Sequence, residues 1–176
     1  MGSCRGYSKI MGRNSQRIDL SGSHLPVLAK LLQNTTGAVI ELGAGFNSTP
    51  LLYWYCKSFD RYFISYENHK DWCDKLGDLT RYIDDWNGLD IESNYWDIAF
   101  IDCRPALERH RFAIKLRNNA KFVVLHDSEP EIDKYYAYRR VYPYFKYKYN
   151  FTNVKPNTLI LSNFCDPASF FGVDYK

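Results

Sequence analysis

The sequence has 176 residues, of which 45% are hydrophobic and 24% are charged, and these values fit one soluble globular domain. The formal net charge of +3 is too small to indicate nucleic-acid binding from composition alone. No apolar run is long enough to cross a bilayer, and the polar stretch 1–16 lacks the apolar core of a signal peptide. The 5 cysteines are widely spaced and form no CxxC pair, which argues against a disulfide framework and a zinc site. We therefore expect a cytoplasmic protein without a membrane partner; composition does not indicate its oligomeric state.

The first predicted elements lie on either side of a glycine-rich turn. Residues 1–18 are expected to form a flexible arm, and residues 19–176 a single domain. Four leucines between 25 and 32 keep the spacing of one helical face. The apolar run 38–42 then predicts a strand buried on both faces. The sequence Ser48-Thr49-Pro50 predicts a helix start, since a hydroxyl at the cap and a proline in the first turn favour one.

The rest of the chain alternates strands and helices before it ends in a hairpin. Strands are predicted at 62–66, 97–102 and 122–126, helices at 69–76 and 105–116, and a short strand at Leu89–Ile91. This alternation predicts a parallel sheet with helices on both faces. Aromatic and polar residues alternate over 145–151, and the apolar run 158–161 follows a turn, which predicts an antiparallel hairpin that closes the sheet.

The turn after the first predicted strand has the features of a nucleotide site. The sequence Glu41-Leu42-Gly43-Ala44-Gly45 places two glycines where the chain turns sharply and a ligand can approach the backbone. The following helix N-terminus favours anionic ligand atoms. The third glycine of the dinucleotide fingerprint is absent after Gly43 and Gly45, which argues against NAD. Glu67 ends the second strand about 20 residues beyond the loop, where a carboxylate can accept hydrogen bonds from both hydroxyls of a ribose.

These motifs, together with the strands at 96–102 and 123–127, resemble those of class I methyltransferases that use S-adenosylmethionine (SAM). The resemblance runs from about residue 24 to residue 163. It implies a Rossmann-like α/β fold with a mostly parallel seven-stranded sheet, and a SAM site in which the glycines face the methionine and Glu67 the ribose. The implied cofactor-binding residues are Glu41, Gly43, Ala44, Gly45, Ser48, Thr49, Glu67, Asn68 and Asp102.

A second pair of carboxylates ends two neighbouring predicted strands. Asp102 and Asp127 should border the ligand crevice, because it lies at the carboxyl ends of parallel strands. His126 beside them could act as a general base or could be a packed strand residue. Asp102, His126 and Asp127 are therefore the candidate catalytic residues. Mg²⁺ bound by Asp102 and Asp127 is the alternative, but Ser128 and the absence of an obvious third ligand favour a metal-free site.

Two charged regions flank this crevice. Arg104 should face it and could hold an anionic substrate group, whereas Arg109 and Arg111 on the next helix are expected on a solvated face. The region 134–149 mixes 7 tyrosines with lysine and arginine. Such a surface can stack bases and neutralise phosphates, although a half-buried edge strand accounts for most of the pattern.

The leading hypothesis is a SAM-dependent methyltransferase whose acceptor is a small polar molecule, a glycan or a nucleic acid. The alternative is a non-catalytic SAM-binding subunit, or a degenerate Rossmann subunit, that works with a partner. A methyltransferase needs no conspicuous catalytic triad, because the cofactor is already activated and the protein mainly positions the acceptor.

Overall fold

A seven-stranded sheet forms the centre of the computed structural model, which describes residues 22–172. The strands are β1 Val39–Leu42, β2 Phe63–Glu67, β3 Arg81–Tyr82, β4 Trp96–Ile101, β5 Ala120–His126, β6 Tyr147–Phe151 and β7 Thr158–Ser162, in the order β3-β2-β1-β4-β5-β7-β6. β7 is antiparallel to both of its neighbours, and the other paired strands are parallel. This confirms the predicted parallel sheet with a closing antiparallel hairpin. The arm predicted at 1–18 lies outside the described residues.

Residues 22–172 form six α-helices and several single 3₁₀ turns around these strands. The helices are α1 Leu25–Gln33, α2 Ser48–Ser58, α3 Lys70–Leu76, α4 Glu108–Leu116, α5 Asp133–Tyr136 and α6 Ala168–Phe171. Neighbouring positions along each buried strand point to opposite faces, so Val39 packs into one apolar cluster and Ile40 into another. The first cluster contains residues of α1 and α2, and the second contains residues of α4. Helices therefore cover both faces, as predicted.

The prediction of a third strand at Leu89–Ile91 is wrong. The short strand β3 pairs with β2 at Arg81–Tyr82, and both of its residues are exposed. Ile91 is instead a loop residue with 1% exposure whose side chain packs into the core together with Trp86. Burial alone produced the apolar signal at this position, because a side chain can fill the core from a loop without strand pairing.

None of the helices within residues 22–172 is long and apolar enough to cross a membrane.

Candidate functional site

A cleft of about 1110 Å³ crosses the carboxyl ends of the parallel strands. Between β1 and β4 the strand order reverses, and open α/β sheets bind their ligands beside such a switch point. The lining residues are His24, Ala44, Gly45, Phe46, Asn47, Ser48, Glu67, Asn68, His69, Trp72, Asp102, Arg104, Pro105, Ala106, Arg109, His126, Asp127, Tyr136 and Pro156. The structure thus brings most of the residues predicted from sequence to one cleft, including Arg104.

Gly43 packs directly against the end of β4. Its φ is +94°, a conformation that residues with a side chain rarely adopt. A Cβ atom at this position would lie 2.5 Å from the carbonyl carbon of Asp102. The sequence analysis attributed this glycine to the approach of a ligand. In the structure the neighbouring strand end already requires it.

Glu67 fastens the glycine-rich loop to the end of β2. One carboxylate oxygen accepts a hydrogen bond of 2.9 Å from the Ala44 amide, and the other accepts one of 2.7 Å from the His69 amide. The Gly45 amide donates to Thr49 Oγ1 at 2.9 Å. The N–H groups of Ala44 and Gly45 therefore already have partners within the protein. The Asn68 side-chain amide can donate to Oε1 at 3.2 Å, which leaves an acceptor position on Oε2 for a ribose hydroxyl.

Glu41 braces the same loop from behind. Its side chain is fully buried, and one oxygen accepts hydrogen bonds of 2.6 Å from both Thr49 Oγ1 and Ser65 Oγ. Burial raises the pKa of Glu41 to about 7, against the opposing effect of the hydroxyl hydrogen bonds. Neither Glu41 nor Thr49 lines the cleft, whereas Ser48 does. These two predicted cofactor-binding residues thus lie one layer below the loop surface.

Phe46 and Trp72 form an aromatic wall that the sequence analysis did not identify. Their rings stack with centroids 4.5 Å apart, and both side chains remain partly exposed beside Asn68. Phe46 lies in the glycine-rich loop and Trp72 on α3. Residues this far apart in the chain give no local sequence signal of a shared wall.

Arg109 joins the two carboxylates of the predicted catalytic group. Its guanidinium lies 2.7 Å from Asp102 Oδ1 and 3.1 Å from Asp127 Oδ2, and Arg109 itself is only 4% exposed. The expectation that Arg109 lies on a solvated helix face is therefore wrong. Asp127 has a φ of +59°, which is uncommon for a residue with a side chain. Its bonds to Arg109 and Tyr136 hold its carboxylate in place.

His126 lies between the two carboxylates and a serine. Its Nδ1 is 3.3 Å from Asp102 Oδ2 and 3.6 Å from Asp127 Oδ1, and its Nε2 is 2.9 Å from Ser23 Oγ. Burial lowers the pKa of His126, but the Asp102 hydrogen bond and the two negative charges outweigh it and leave the pKa raised. Both ring nitrogens of His126 therefore have polar partners.

His24 was missed by the sequence analysis. It immediately precedes α1, is 3% exposed, and packs against the rings of Phe100 and His126 with centroids 4.8 Å and 4.6 Å away. Burial, and next the neighbouring His126, lower its pKa to about 4. Among the described residues, neither of its ring nitrogens has a hydrogen-bond partner.

The tyrosine-rich region 134–149 is partly core and partly surface. Tyr138 is buried and donates to the His126 carbonyl at 2.7 Å, and Tyr136 donates to Asp127 Oδ2 at 3.0 Å. Along β6, Tyr147 and Tyr149 are half-buried while Lys148 is exposed, which fits the predicted edge strand. The region therefore supports the charged cluster as well as forming a surface.

Comparison with known proteins yields structural similarity only. No protein-family model matches the sequence, and no curated protein matches it. The METTL16 MTase domain aligns with 81% of this chain and 67% of its own, with a TM-score of 0.52 and 12% identity. A second structure of that domain has a TM-score of 0.51, with the same coverage of both chains and the same 12% identity. A methyltransferase from Pyrococcus furiosus has a TM-score of only 0.48, with 14% identity, and the alignment covers 80% of this chain and 83% of its own. The chain therefore has the Rossmann-like fold of class I SAM-dependent methyltransferases.

Proposed function

We propose that the chain binds SAM in this cleft and transfers its methyl group to an acceptor held beside Asp102 and Asp127. The observation that carries the proposal is Glu67, whose carboxylate closes the glycine-rich loop at the end of β2, lines the cleft and keeps an acceptor position on Oε2. A ribose is the ligand group that such a carboxylate fits best. The cleft volume of about 1110 Å³ is ample for a nucleoside cofactor and a small acceptor group.

The two halves of the cleft suggest different tasks. Glu67 and the stacked rings of Phe46 and Trp72 border the part above β1 and β2, which suits a ribose and a flat base. SAM supplies a methyl group on an already activated sulfonium. Asp102 and Asp127 border the part above β4 and β5, where a carboxylate can accept a hydrogen bond from an acceptor O–H or N–H and orient it.

The charged cluster favours catalysis over the alternative of a non-catalytic SAM-binding subunit. The side chains of Asp102 and Asp127 are 27% and 19% exposed, so both still reach the cleft although Arg109 joins them. Arg109, Tyr136 and Tyr138 fix this arrangement from α4 and from the segment around α5. Perturbed, fixed charges at a cleft are typical of a functional site.

Calorimetric titration with SAM, S-adenosylhomocysteine and NAD tests the cofactor. We expect SAM and S-adenosylhomocysteine to bind and NAD not to. Glu67→Gln should weaken SAM binding about 10- to 100-fold, because a hydrogen bond to a charged group contributes about 1.5–3 kcal/mol. Glu131→Gln, at an exposed acidic residue away from the cleft, is the control and should bind SAM like the parent. A Glu67→Gln affinity within about twofold of the parent would show that the ribose is held elsewhere.

Turnover with candidate acceptors tests the second half of the cleft. Asp102→Asn and Asp127→Asn should lower single-turnover methyl transfer far more than they lower SAM affinity, since both act on the acceptor side. SAM binding without transfer to any small polar, glycan or nucleic-acid acceptor would favour the non-catalytic alternative. Full transfer by both variants would move the acceptor site to another surface, of which the tyrosine-rich region 134–149 is the first candidate.

A further inference from the structure

Three potential metal ligands from distant parts of the chain converge at the acceptor side of the cleft. One ligand atom each of His24, Asp102 and His126 lies within 4.8 Å of the other two. The three residues precede α1, follow β4 and end β5. They lie 78 residues (24 to 102) and 24 residues (102 to 126) apart in the chain, so only the fold brings them together.

The hydrogen bonds around His126 leave room for a cation between its ring and Asp102. Ser23 has one hydroxyl proton and lies 2.7 Å from the Pro156 carbonyl, to which it can donate. In that arrangement Ser23 Oγ accepts from the protonated His126 Nε2. Nδ1 then faces Asp102 Oδ2 at 3.3 Å. A lone pair cannot point at a carboxylate without a proton or a metal ion between them.

The third donor favours a metal ion over a proton, and the spacing is compatible with a metal ion. Charge-assisted N–H···O bonds are usually about 2.7–2.9 Å long. Two ligands of one metal ion, each about 2.0–2.2 Å from it, lie roughly 3.3 Å apart in tetrahedral geometry. The separation of 3.3 Å between His126 Nδ1 and Asp102 Oδ2 is long for the first case and is compatible with the second. A proton would also leave His24 with no role, although it is 3% exposed and both of its ring nitrogens are unpartnered within residues 22–172.

We propose that His24, Asp102 and His126 bind a divalent first-row transition ion, with Zn²⁺ as the representative. Two imidazoles and one carboxylate suit such ions, whereas Mg²⁺ prefers oxygen ligands alone. This ligand set differs from the Asp102 and Asp127 pair expected from sequence, which Arg109 joins. The carboxylates contribute −2 and Arg109 contributes +1, so the cluster is net negative when both histidines are neutral.

The surroundings of the three side chains match those of metal ligands. The second nitrogen of a metal-binding histidine normally donates to a fixed oxygen, as His126 Nε2 does to Ser23. Ligating carboxylates are likewise held by hydrogen bonds, and Arg109 holds the far oxygen of Asp102 at 2.7 Å. All three ligands border the cleft, so an ion there would be open to an acceptor molecule. The proposal goes beyond SAM binding and is tested without SAM.

Metal binding is measured on the full chain after treatment with a chelator and dialysis. Co²⁺ is the probe, because its visible absorption reports nitrogen and oxygen ligands, and Zn²⁺ is then added as a competitor. We expect one equivalent of Co²⁺ to bind, Zn²⁺ to displace it, and excess Mg²⁺ to have no effect. A folded parent that binds no Co²⁺ would overturn the proposal.

Variants assign the ligands. His24→Gln should weaken Co²⁺ binding at least 100-fold, and His110→Gln, at a histidine of α4 outside the cluster, should bind like the parent. Equal Co²⁺ affinity of His24→Gln and the parent would overturn the assignment. X-ray absorption of the Zn²⁺-loaded parent gives a second measurement if the variant does not fold. It should show imidazole scattering without sulfur, and sulfur ligands would contradict the proposed set.

Discussion

A side chain at Gly43 would destabilise the fold in two separate ways, through backbone strain and through a steric clash. A left-handed backbone costs a residue with a Cβ roughly 1–2 kcal/mol, and the Cβ would also collide with the Asp102 carbonyl carbon at 2.5 Å. Gly88 carries the backbone strain without the clash, because its φ is +80° and a Cβ atom there would have no neighbour within 4 Å. The loop geometry therefore depends on Gly43 even when no ligand is bound.

We expect Gly43→Ala to lower the free energy of unfolding by about 2 kcal/mol or more beyond the loss caused by Gly88→Ala, since overpacking adds about 1–3 kcal/mol. Urea unfolding of the two variants and the parent measures the difference. Equal losses would mean that β4 moves aside at no cost and that Gly43 is required for its φ alone.

Glu41 makes stability depend on pH in an unusual direction. Burial raises its folded pKa to about 7, above the ordinary glutamate value of about 4.5, and the negative charge of Asp102 raises it further. A raised carboxyl pKa means that folding favours the protonated form. The resulting stability is fully present below about pH 4.5 and is lost as the pH rises through about 7.

Glu41→Gln, which imitates the protonated carboxyl, should remove this dependence. The free energy of unfolding of the parent minus that of the variant should fall by about 2–3 kcal/mol between pH 5 and pH 8, because each pKa unit corresponds to about 1.4 kcal/mol. Denaturant unfolding at several pH values measures it, with Glu131→Gln as the exposed control. A difference that stays constant with pH would show that Glu41 is charged in the folded protein.

At the scale of elements, helix α4 places the buried guanidinium of Arg109 at the carboxyl ends of β4 and β5. Arg109 and Arg111 lie on the same helix, but Arg109 is buried between Asp102 and Asp127 while Arg111 forms an exposed pair with Glu108. Removing one partner of a buried ion pair leaves an uncompensated charge, whereas exposed pairs contribute about 0–1 kcal/mol.

Arg109→Leu should therefore lower the free energy of unfolding by about 3 kcal/mol, and Arg111→Leu by less than about 1 kcal/mol. Chemical denaturation of both variants in the presence of EDTA measures the contrast without any contribution from bound metal. Similar losses would indicate that water reaches the carboxylates well enough to replace the guanidinium.

The strands and helix α4 show which elements and contacts sequence patterns can predict and which they cannot. Strands β1, β2, β4 and β5 were predicted because strands buried on both faces leave continuous apolar runs. The hairpin was predicted from the alternating residues of β6 and from the apolar run of β7 after a turn. β3 was missed because two exposed residues carry no pattern. Arg109 was misplaced because local charge spacing resembles a solvated face, while its partners lie at the ends of other elements.

The candidate site shows the same division. Glu67, Asp102, His126 and Asp127 were found because strand ends are recognisable and the fold places them at one edge. His24 was missed because it precedes the first helix and gains a role only through contacts with β4 and β5.

For the whole molecule, the cleft has two halves that should respond to different ligands. S-adenosylhomocysteine at about 100 times its Kd should stabilise the folded chain by about 2.7 kcal/mol, which raises Tm by roughly 5–10 °C for a domain of this size. His24→Gln should keep this increase, because His24 belongs to the half above β4 and β5. Glu67→Gln should lose about 3–5 °C of this increase in Tm for each tenfold loss of affinity.

Co²⁺ should show the reverse pattern and stabilise Glu67→Gln but not His24→Gln. Thermal unfolding of the three proteins with each ligand measures all of these shifts. If either substitution abolished both increases, the two halves would form one coupled site, and an ion and a cofactor could no longer be assigned to separate groups of residues.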